Sequence, residues 1–204
     1  MHRNLTGIDL VFYRHVTPLH QTPNDLDFSA NDCYCVNELS DYDISPLLLR
    51  MIDEDYILNP YSLFILTAYS FSPNKEMRLT VSEVLIQCLS QQKINLEILA
   101  KHYVTLLESN YAPFPRLLEC LLAIKGSSEL GDQALLIIIM NIIQNYTIPE
   151  KLPSQFKKLF ELYYELAHQY GVKIPKTSID SLLLWQDKFN SLKTMIQKII
   201  KEIS

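Results

Sequence analysis

Four side chains near the start of the chain carry the chemistry of a zinc site. His15, His20, Cys33 and Cys35 place two imidazoles and two thiols within 21 residues. Imidazole and thiolate are the usual zinc donors, four of them arranged as a tetrahedron in a structural site. The spacing works against chelation. A single residue between Cys33 and Cys35 is tighter than the separation that zinc-binding cysteine pairs usually have, and alternate residues of an extended strand point the same way without converging. Neither a metal nor a cofactor is expected. Glycine is scarce, with Gly7, Gly126, Gly131 and Gly171 the only 4 in 204 residues, so little is present from which to build a phosphate-cradling loop. The chain also lacks a Gly-x-Ser-x-Gly elbow and a His-Glu-x-x-His pair. The expectation is a protein that is not an enzyme.

The other titratable candidates have plain structural readings. His102 falls beside Leu99, Tyr103 and Leu106 on the apolar side of its segment, and His168 follows Ala167 on a polar flank. Asp53, Glu54 and Asp55 are consecutive, so their carboxylates do not converge on one proton or cation and read as a solvated acidic turn.

Charge is unevenly distributed along the chain. The net charge is −5, yet residues 1–150 carry 9 Lys and Arg against 18 Asp and Glu, while residues 151–204 carry 9 Lys against 5 acids. Such a split marks either two binding surfaces or two polar faces of one domain. Lys151, Lys157, Lys158, Lys173, Lys176 and Lys188 could line one side of the C-terminal part and meet phosphates. That stretch has no arginine and no aromatic interleaving for base stacking, and the whole chain is acidic, so nucleic acid ranks behind a protein partner of unknown identity. Candidate anchors are Lys157 or Lys158 and Tyr163 or Tyr164, because two adjacent tyrosines on a helix cannot both face the core.

The elements that must position these residues are helices. Phe156, Leu159, Phe160, Tyr163, Leu166, Ala167 and Tyr170 follow the helical repeat up to Gly171, a good stop signal. A second periodic run covers 176–203, opened by the capping pattern Thr177-Ser178-Ile179-Asp180, with Asn190-Ser191 as a candidate break. Upstream, periodicity places helices near 46–54, 60–70, 74–91, 95–109, 114–125 and 130–146. The 130–146 segment is apolar nearly all round, which requires a central position between neighbouring helices. The first 58 residues read as an irregular acidic segment or cap, with short β-compatible runs at 10–13 and 33–36, ahead of a helical domain over 59–204. The longest apolar run, Ala134 to Met140, is far too short to span a bilayer. The N-terminus offers no continuous apolar leader, and four irregularly spaced cysteines suit a reducing cytosol, so a cytoplasmic location is expected.

Pro73, Pro113 and Pro153 are each 40 residues apart, and each lies just before a helical segment, where its missing N–H costs nothing. Two helices per 40 residues is the range of HEAT-like repeats, though a non-repetitive helical bundle also accommodates these marks. Val81-Ser82-Glu83-Val84-Leu85-Ile86 with Asn95-Leu96-Glu97-Ile98-Leu99, then Pro115-Arg116-Leu117-Leu118-Glu119-Cys120-Leu121, the apolar 134–143 helix and a closing helix before a Lys-rich end give residues 60–204 a resemblance. In this arrangement the chain resembles the C-terminal part of bacterial HEAT-like helical-repeat proteins of unknown function. The resemblance implies an all-α fold of stacked helix pairs, an α-solenoid, often within a longer chain, and brings no catalytic residues with it. The function expected is a non-catalytic protein-interaction or scaffold module.

Overall fold

A computed structural model describes residues 45–53, 57–58, 60–108, 114–153 and 155–203. His15, His20, Cys33, Cys35 and the runs at 10–13 and 33–36 lie outside the described residues, as does Pro113. Among the described residues the regular structure is entirely helical. The helices are α1 Ser45–Asp53, α2 Pro60–Tyr69, α3 Lys75–Ser90, α4 Leu96–Glu108, α5 Phe114–Ile124, α6 Glu129–Asn145, α7 Phe156–Tyr170, α8 Lys176–Lys188 and α9 Lys193–Ile203. A 3₁₀ turn, Asn190–Leu192, divides α8 from α9 at the expected break.

Local chemistry explains several of the ends. Asn74 accepts from the N–H groups of Glu76 and Met77 at 2.9 and 3.4 Å, capping α3. Asn95 does the same for Glu97 and Ile98 ahead of α4, at 3.1 and 3.2 Å. Ser128 accepts from Gly131 N–H at 3.0 Å and opens α6. Each side chain satisfies donors that a helix start leaves free. Helix α7 stops at Gly171, whose φ of +62° is a left-handed conformation that glycine adopts without steric cost. The capping pattern expected at Thr177 is not used. Helix α8 begins at Lys176, the start of the periodic run, with Pro175 before it and no side-chain cap. The Ser178 hydroxyl, within α8, is buried and accepts from Gln144 Nε2 on α6 at 2.7 Å, a tertiary bond that joins the two helices.

Helices two places apart in sequence lie side by side. Helix α1 packs on α3 and α3 on α5; α2 packs on α4, α4 on α6 and α6 on α8; α9 closes against both α7 and α8. Helix α6 touches α3, α4, α5, α7 and α8, the central position its composition demands. Even there coverage is incomplete, since Leu130 and Ile137 of α6 reach solvent. One continuous apolar core runs from Leu48 to Ile203, joining every helix.

Candidate functional site

Helix α7 carries the four residues singled out by the sequence. Its buried stripe is Phe156, Leu159, Phe160, Leu162, Tyr163, Leu166 and Ala167. Tyr163 is 2% exposed, and burial pushes its phenol up to about 12. A side chain so enclosed presents nothing to a partner, which withdraws Tyr163 as an anchor. Tyr164, one step round the helix, is half-buried. Its hydroxyl donates to the Glu202 carboxylate on α9, and Lys198 Nζ sits 4.1 Å from the centre of its ring. A cation at that distance over an aromatic face is attracted by the ring quadrupole. Tyr164 therefore ties α7 to α9, with part of its ring still at the surface.

On the same outer face, Glu165 pairs with Lys125, which follows α5. Lys157 and Lys158 are both exposed in the first turn of α7. Lys157 lies 3.7 Å from Glu161, one turn along, while Lys158 makes no ion pair among the described residues. Lys151, Lys173, Lys176 and Lys188 are exposed as well. The site is thus an ordinary solvated face in part, with Lys157, Lys158 and Tyr164 all carried by α7.

Sequence reading missed two buried clusters. The first is polar. Arg78, on α3, donates from Nε and Nη2 to Glu119 on α5 and from Nη1 to the Ser72 and Pro73 carbonyls at 2.7 and 3.2 Å. Arg116 donates to the Phe71 carbonyl at 3.0 Å, so two guanidiniums hold the connection between α2 and α3. Beneath them Cys120 Sγ lies 3.0 Å from Ser82 Oγ and 3.5 Å from Ser70 Oγ, and Ser70 shares a hydrogen bond with the Tyr103 hydroxyl. Burial raises the pKa of the Cys120 thiol and raises that of the Tyr103 phenol further above its ordinary range, so both stay protonated at neutral pH. A neutral thiol is a weak nucleophile, and these groups act as hydrogen-bonded packing. The signal available in the sequence was Arg78, a cation set between the apolar Met77 and Leu79 in the α3 segment.

The second cluster is aromatic. The Phe156 ring centre lies 4.7 Å from those of Phe114 and Trp185, and Tyr146, Phe160 and Phe189 also border Trp185. The indole N–H donates to the Ile143 carbonyl at 2.8 Å. This cluster joins α5, α6, α7 and α8 behind the lysine-bearing face.

Both histidines take the positions read from the sequence. His102 is buried edge-on to Phe64 at 5.6 Å, and burial lowers its pKa to about 4; His168 is exposed. Asp53 is the exposed last residue of α1, while Glu54 and Asp55 lie outside the described residues. No group of histidine, cysteine and carboxylate side chains suited to a metal occurs among the described residues. No helix among them is long and apolar enough to cross a membrane.

Against known proteins, residues 5–201 match the family described as Domain of unknown function (DUF7825). The chain belongs to this family. No curated protein and no solved structure matches it. Membership in DUF7825 identifies the chain's relatives without assigning a reaction or a ligand, so the functional reading rests on the arrangement just described.

Proposed function

We propose that this DUF7825 chain is a HEAT-like helical repeat that works, without catalysis, as a protein-interaction or scaffold module. The observation that carries the reading is the side-by-side packing of helices two apart, tied by polar links near a 40-residue separation: 41 for Arg78 to Glu119, 40 for Lys125 to Glu165 and 38 for Tyr164 to Glu202. Two-helix units stacked in this way share their core with neighbours and leave extended outer faces for partners. Binding strength on such a face comes from a few aromatic and cationic anchors within a polar rim. Lys157, Lys158 and the outward edge of Tyr164 are the proposed anchors, and an acidic protein surface is the matching chemistry.

The test is a double charge reversal, Lys157→Glu with Lys158→Glu, assayed by capture of partners from the native cell. The reading expects an unchanged helical spectrum and recovery of the captured protein reduced about tenfold or more, since adjacent like charges at an interface cost several kcal/mol. Capture equal to that of the parent chain removes this surface from the account.

A further inference from the structure

We draw no further inference here: the strongest candidate, the exposed apolar pair Leu183 and Leu184 on the outer side of α8, carries none because nothing in the structure shows what covers it.

Discussion

Arg78 on α3 and Glu119 on α5 stand 41 residues apart and share two hydrogen bonds, the one from Nε measuring 3.1 Å. The same interval recurs along the chain. It is 39 for Thr147 and Glu108, 38 for Tyr170 and Asp132, and 42 for Trp185 and Ile143. Each pair bridges one helix, or the connection beside it, to another about forty residues away. A helix, its return helix and two connections take up about that much chain, the separation that the two-helix units proposed above would have.

Arg78 is the more buried member of its pair, with a side chain 9% exposed against 32% for Glu119. Arg78→Ala removes the two charge-assisted bonds to the Glu119 carboxylate and leaves the Ser72 and Pro73 carbonyls without their donor, costing about 2–4 kcal/mol. Glu119→Gln keeps an acceptor next to water and costs about 1 kcal/mol. Urea unfolding followed by far-UV circular dichroism checks the ranking, and equal losses would contradict the asymmetric burial.

Trp185 is the single tryptophan of the chain and is fully buried among aromatic rings. Its fluorescence is expected to be blue-shifted in the native state and to move red only with global unfolding. Trp185→Phe removes the donor to the Ile143 carbonyl and leaves a void, a loss of about 2–4 kcal/mol. Native emission typical of indole in water would refute this packing.

His102 makes stability depend on pH in a stated direction. Its pKa falls from 6.5 to about 4 on folding because burial disfavours the imidazolium. The unfolded chain therefore takes up the proton first. The contribution of His102 is complete above about pH 6.5 and is lost as pH falls toward 4, about 3 kcal/mol in all. Carboxylates titrate in the same window, so the informative quantity is the difference between parent and His102→Leu. The variant's stability should fall less steeply from pH 6.5 to 4, and parallel curves would rule the assignment out.

Helical periodicity made most of the fold legible. The seven-residue apolar stripe read along 156–170 already contained Tyr163, and the structure buries it as the phase of that stripe requires. Tyr164 falls at the stripe's edge, where its exposure depends on what α9 places beside it, Lys198 and Glu202 in this case. The start of α8 at Lys176 matches the run read from 176, but the cap there is Pro175 with no side-chain bond rather than Thr177, and the bond of Ser178 to Gln144, 34 residues away, had no local mark. The cluster of Arg78, Glu119 and Cys120 was hidden for the same reason. Its members come together only when α3 and α5 pack side by side, and no local pattern marks residues that meet across forty positions.

The most direct measurement of the interaction-module reading is capture on the tagged parent chain from its native cell, at low and moderate salt, with and without nuclease, quantified by mass spectrometry. The account predicts a protein partner recovered in near-equal amount through nuclease treatment, with a partial loss as salt rises because exposed lysines anchor the contact. Loss of every partner on nuclease treatment, with nucleic acid in the untreated eluate, would contradict it and assign the lysines of α7 to phosphate contacts, whose affinity falls steeply with salt.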